Sequence, residues 1–280
     1  MATHNKNPRT TAEYTERQEN YHHNDNIISM NNRNADTSDP DALILGHNYF
    51  SDWSNEEYRA QLNLPAAALG QAVTLPAHDS SSNSGGRGGG LGGLGGRSRG
   101  RGLIADATTV DHFADGFMHS VKNQGSCGSC WAFAANTASE GTLAKKTNNP
   151  NPIHMSEQHM VDCTLSPSAG GEAYEGKDYH AWGCQGAWME YAWEFQKDHG
   201  VMLEADYPYT SGSTGQETSC KHDDSKTVGK IASWNQLTQS VDDMKARVRQ
   251  QPVTVALDAG GSAFQMYSSG VVKVEDNCGT

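Results

Sequence analysis

The chain has 280 residues, 35% hydrophobic and 19% charged, with a net charge of −12 and an isoelectric point near 5.4, enough for one large domain or a small one plus a larger one. That acidity disfavours a nucleic-acid partner for the chain as a whole, and no stretch approaches the roughly 18 apolar residues of a membrane span. Six cysteines point to an oxidising route, yet Met1 to Tyr14 is polar and lacks the apolar core of a secretory leader. The chain is therefore either cytosolic or begins short of its natural start.

Residues 1 to 10 are polar and carry Pro8, which predicts a loop. From Thr11 to Asn32 the pattern changes: Glu13, Arg17, Tyr21, Asn24, Ile28 and Asn32 recur at helical steps along one face. Glu13 and Arg17 also form an i, i+4 pair in the favourable orientation. His22 and His23 are adjacent, so on a helix they point apart and read as a solvated pair rather than metal ligands. Gly46, Asn48, Phe50 and Asp52 fall at alternating positions. A second helix follows, with Ser54 as N-cap and Glu57 at the third helical position. Ser80 to Gly102 is a Gly/Ser/Arg tract that cannot bury enough surface to offset its ordering entropy and reads as a linker open to processing. An RGG-like RNA-binding tail is the rival reading, weakened by the absence of aromatic residues in the tract.

Gln124 to Phe133 concentrates the chemistry. Cys130 stands where a helix begins, because Ser129 can cap and Trp131, Ala134, Ala135 and Ala138 recur at helical spacing. A helix N-terminus lowers a thiol pKa, which makes Cys130 the candidate nucleophile. Gly125 and Gly128 leave room for a substrate backbone. Gln124, on a folded-back loop, can aim its amide at an oxyanion with the Cys130 N–H as second donor. Cys127 and Cys130 have the spacing of a metal or redox pair, but no second pair completes a zinc site.

Further along, Met155 to Cys163 fits a short helix starting after Ser156, and Thr164 to Gly183 is long and without period. Glu190 to His199 is helical, with Tyr191, Ala192 and Phe195 on its apolar side. Ser240 to Gln251 is another helix, with a Ser240/Asp243 capping box and Val241, Met244 and Val248 facing the core. Val253 to Asp258 and Gly270 to Val274 read as strands. Helices come early and strands late.

Cys127-Gly128-Ser129-Cys130-Trp131, within the run from Val121 to Phe133, resembles the active-site segment of papain-like cysteine peptidases. Val110-Asp111-His112, Cys184 to Met189 and Asp206 to Tyr209 resemble further family strings, with His112 and Ala187 as departures. The Glu13 to Asn32 face and the Gly46 to Asp52 segment resemble the two motifs of that family's inhibitory propeptide, with Tyr21 in place of a Phe. The resemblance implies an α+β, two-lobed papain-like fold, with a helical left lobe and an incomplete β-barrel-like right lobe. It implies an inhibitory propeptide over 1–79, a linker over 80–102 and a peptidase domain over 103–280, incomplete at both ends, with Thr164 to Gly183 as an insertion. Catalysis is implied for Cys130 and Gln124, and substrate binding for Gly128, Gly186, Ala187, Trp188, Met189 and Ala256. Disulfides are implied between Cys127 and Cys184 and between Cys163 and Cys220, leaving Cys130 free and Cys278 without a partner. No cofactor, metal, membrane or nucleic acid is implied. The partners are a peptide or protein substrate and the chain's own propeptide, the state is monomeric and the site lysosomal or secreted.

A thiol protease needs an imidazole roughly 130 to 150 residues past the nucleophile, yet no His follows His222. The base and its orienting Asn are expected beyond Thr280. His112, His119, His154, His159, His180, His199 and His222 lack the surrounding residues of that base. The expectation is a precursor whose 280-residue form is inactive; the alternative is an inert relative acting as inhibitor or binding protein.

Overall fold

A computed structural model describes residues 10–62, 109–238 and 240–273. The linker tract and Cys278 lie outside the described residues.

Helix α1 spans Thr11–Asn34, capped by Thr10, whose hydroxyl accepts from Glu13 N at 3.1 Å. The face read from the sequence is the one that docks. Arg17 bonds the Asp52 carbonyl at 3.2 Å and ion-pairs with Glu57 at 2.7 Å. Tyr21 stacks on His47 with ring centroids 4.5 Å apart, and the Asn24 amide donates to the Ser51 and Trp53 carbonyls at 3.1 and 2.9 Å. Asn32 closes both ends of the Leu45 peptide, donating to its carbonyl and accepting from its N–H. Helix α2, Asn55–Leu62, starts in the expected capping box: Glu57 N donates to Ser54 Oγ at 3.1 Å and Ser54 N to Glu57 Oε2 at 2.8 Å.

The alternating segment is only in part a strand. Strand β1 is Ile44–Leu45, just before Gly46, whereas Asn48 to Trp53 turns back on itself, with the Asn48 carboxamide oxygen accepting from Phe50 N. β1 pairs antiparallel with β2, Tyr267–Ser269. This strand lies upstream of the predicted Gly270 start, because Gly270 takes φ +90° and a Cβ there would collide with the Ala42 carbonyl. Ile28, Leu43, Leu45, Ala263 and Met266 form a small core at this junction. The Asn48 amide donates to the Gln265 carbonyl, and Asn55 to the Gly260 carbonyl and the Gln265 side chain.

The main core is helical. Helix α3, Cys130–Thr147, packs on α5, Met189–Asp198, and on α4, Glu157–Cys163. Trp131, Ala135, Met160, Ala192, Phe195 and Val201 are among its buried side chains. Ser156 caps α4 as expected, its hydroxyl accepting from His159 N at 2.9 Å. Disulfides join Cys127 to Cys184 and Cys163 to Cys220, each with a Cα separation of 4.6 Å. Between them Leu165 bridges Ala181 around a turn of 3₁₀ helix at Pro167–Ala169.

Helix α6, Val241–Gln250, forms behind the expected Ser240 cap, but Val241 is 69% exposed and none of its residues is buried. Val253 to Asp258 forms no strand, and Val255 and Leu257 are exposed. Among the described residues no sheet or helix covers these apolar side chains, so a correct local period has no layer to face.

Candidate active site

Cys130 opens α3 as a free thiol at the surface. The turn before it is fixed at several points. Gly125 takes φ +61°, and a Cβ there would meet the Gly212 carbonyl, which accepts from Ser126 N at 2.8 Å. Gly128 N donates to the Cys184 carbonyl at 2.9 Å, and the Cys127–Cys184 disulfide fastens the same two segments. The buried Trp131 indole donates to the Gly183 carbonyl at 3.2 Å.

Ser129 holds the N-cap position but makes no capping bond; its hydroxyl goes to the Tyr209 hydroxyl at 2.7 Å. Cys130 and Trp131 carry the first N–H groups of α3, at the end of the helix where the thiol sits. Although Cys130 reaches solvent, the protein around Sγ desolvates it and pushes the thiol up, more than those N–H groups pull it down. The Gln124 amide is committed through one N–H to the Cys127 carbonyl at 2.9 Å, and a primary amide keeps a second.

Gly186 takes φ +103°, and its carbonyl accepts from Trp182 N at 3.1 Å. Ala187 is not in a left-handed conformation, so its methyl costs no backbone strain, and it packs on the main core with Met189. Trp188 is the N-cap residue of α5. Ala256 is exposed, next to Val253 to Val255, which share an open cleft of about 420 Å³ with Gln124, Lys122 and Phe133.

Among the described residues, the seven histidines from His112 onward have partners other than Cys130. His112 donates to the Val248 carbonyl at 2.6 Å and His119 to the Ile153 carbonyl at 3.1 Å, while His154 packs on His119. His180 meets Asp178, and His199 meets the Tyr179 hydroxyl at 2.8 Å. His159 and His222 form a buried relay: Met202 N donates to His159 Nδ1, His159 Nε2 donates to His222 Nδ1 at 2.9 Å, and His222 Nε2 meets Asp224.

Sequence periodicity gave no hint of the buried ion cluster behind the Gln124 loop. Lys122 Nζ lies 3.0 Å from Glu140 and 2.6 Å from Glu157, and Glu140 also accepts from Met155 N. Burial pushes Glu157 up to about 7 against the opposing pull of Lys122. Glu140, His154 and Glu157 place ligand atoms within 4.8 Å of one another, but the Lys122 ammonium already sits against both carboxylates.

The architecture is that of papain-like proenzymes. A digestive procathepsin L 3 from Tenebrio molitor larval midgut superposes with a TM-score of 0.68 at 28% identity, over 96% of this chain and 74% of that one. The description "Papain family cysteine protease" matches residues 107–280, and the cathepsin propeptide inhibitor domain matches residues 1–58. The chain belongs to the papain family of cysteine proteases, as a precursor with its propeptide. Similar relatives include cysteine proteinase 6 of Dictyostelium discoideum, 32% identical over 250 residues (88% of this chain, 48% of the relative). Vignain of Vigna mungo is 40% identical over 265 residues (88% and 59%). The chain spans about half the length of the curated relatives it matches.

Proposed function

We propose that the chain is the zymogen of a cysteine-type endopeptidase that hydrolyses peptide bonds by acyl transfer through Cys130. The observation that carries this reading is the free, exposed thiol at the N-terminus of α3, beside the disulfide-fastened turn that ends at Ser129. In this reading the thiolate attacks the peptide carbonyl carbon. Gln124 Nε2 and Cys130 N–H hold the resulting oxyanion, the amine leaves with a proton, and water hydrolyses the thioester. Gly128, Gly186 and Ala187 would receive substrate backbone, and Trp188, Met189 and Ala256 an apolar side chain. Residues 1–79 serve as intramolecular inhibitor, 80–102 as the processing linker and 103–280 as the peptidase, a monomer with no cofactor. The disulfides suit a lysosomal or secreted site.

The leaving amine needs an imidazolium, and the described histidines from His112 to His222 are engaged elsewhere. The 280-residue chain is therefore expected to be alkylated at Cys130 but to turn over no peptide. Incubation with an apolar fluorogenic peptide, before and after removal of residues 1–102, tests this. Thiol-dependent turnover lost in Cys130→Ala would overturn the missing-base part and keep the nucleophile; turnover that survives Cys130→Ala would overturn the assignment itself. An inert relative is the second reading, and what favours it is that the described histidines from His112 to His222 contact groups other than Cys130.

A further inference from the structure

Tyr209 sits where two halves of the site meet. Its hydroxyl donates to the Gln124 carbonyl at 2.8 Å and lies 2.7 Å from Ser129 Oγ. A carbonyl can only accept, so the single phenolic proton goes to Gln124 and the Ser129 hydroxyl donates to Tyr209. One oxygen thus ties the residue that carries the side-chain oxyanion donor to the residue immediately before Cys130. The strut is itself held. Tyr209 N donates to Glu204 Oε1 at 2.8 Å, its ring packs edge-on to Phe133 of α3 at 5.0 Å, and Gln158 accepts from Thr210 N and Ser211 N. The same contact takes Ser129 away from capping, which leaves the first amides of α3 for the site.

We propose that Tyr209 is a positioning residue for the oxyanion site, setting the spacing between Gln124 Nε2 and the Cys130 N–H through its paired bonds to Gln124 and Ser129. This rests on the reading of Gln124 and Cys130 N–H as oxyanion donors. Because the two donors lie on different segments, a small change in their spacing weakens oxyanion binding while leaving the thiol in place.

The test uses the full chain and two small electrophiles, with adducts mapped to the Cys130 peptide. N-acetylglycinal forms a hemithioacetal: the Sγ–carbon bond forms as the carbonyl π bond opens, and the thiol proton passes to the oxygen that the donors hold. Iodoacetamide alkylates the sulfur with loss of iodide and builds no oxyanion. Protection by the aldehyde against iodoacetamide gives its dissociation constant. Tyr209→Phe, which keeps the ring against Phe133, is expected to weaken aldehyde binding about tenfold with the alkylation rate within about twofold of wild type. Ser129→Ala is expected to act in the same direction. Gln124→Ala is the reference: if it weakens the aldehyde and Tyr209→Phe does not, the positioning role is overturned. If Gln124→Ala also has no effect, the donor assignment falls with it. Equal loss of both reactions in Tyr209→Phe would mark a purely structural role and overturn the proposal.

Discussion

Acidification should loosen the helical lobe through His159. This ring is fully buried, and both nitrogens are committed: Nδ1 accepts from Met202 N and Nε2 donates to His222. Burial, reinforced by the neighbouring His222 and His199, lowers its pKa from 6.5 to about 3. The fold thus favours the neutral ring. Between those two values the unfolded chain binds a proton that the folded chain refuses, so stability is full above 6.5 and falls as pH drops towards 3. At about 1.4 kcal/mol per pH unit, His159 alone accounts for a loss of about 3 kcal/mol between about pH 7.5 and about pH 4.5. Guanidinium unfolding of the disulfide-intact protein at those two pH values measures the change. His159→Gln keeps a donor towards His222 and removes the titration, and the difference between the two proteins cancels the carboxylates common to both. The variant should lose about 3 kcal/mol less than wild type over this range. Equal losses would refute the reasoning.

Four further outcomes follow from particular contacts. Asn24→Ala leaves the Ser51 carbonyl without its donor and the Trp53 carbonyl with the Gln265 amide alone, and should cost about 1–3 kcal/mol, read as faster amide exchange across α1 and residues 50–53. Lys122→Met strands two buried carboxylates and should destabilise by about 3–5 kcal/mol at neutral pH, with part of that gap to wild type closing on acidification as Glu157 takes up a proton. Thermal melts in which the gap between variant and wild type widens steadily with acid would contradict this. Replacing Cys163 and Cys220 together by Ser opens a loop with a sequence separation of 57 and should cost about 4 kcal/mol in denaturant unfolding. Arg17→Ala removes the ion pair to Glu57 and the bond to the Asp52 carbonyl; it should cost about 1 kcal/mol, seen as a lower midpoint in protease resistance of the N-terminal module.

Local chemistry was readable where one residue's choice depends on neighbours three or four positions away. The α1 face, the Ser54/Glu57 box and the Ser156 cap all formed as the sequence predicts. Ser129 was half readable: its position at the helix start followed from the pattern, but its hydroxyl was captured by Tyr209, 80 residues away, a competitor invisible to a local rule. Val253 to Asp258 failed for a related reason, since a strand needs a partner and alternation specifies only the face it would present. β2 went to its place because β1 of the N-terminal module offered an edge. The buried Lys122, Glu140 and Glu157 group had no signal at all, because charged residues are expected outside and only tertiary pairing brings them in. The helix start at Cys130 was legible, because Trp131, Ala135 and Ala138 recur at helical spacing behind Ser129. The thiol's raised pKa was not, since desolvation is a property of the assembled cleft.

The most direct test of the account is the rate of Cys130 alkylation by iodoacetamide as a function of pH, measured on the 280-residue chain. A nucleophile that has no imidazole partner among the described residues and is desolvated should titrate above its ordinary 9.0, with the rate climbing through alkaline pH and negligible in acid. A plateau of reactivity extending through neutral into acidic pH would reveal a thiolate–imidazolium pair within these residues, and would contradict the account.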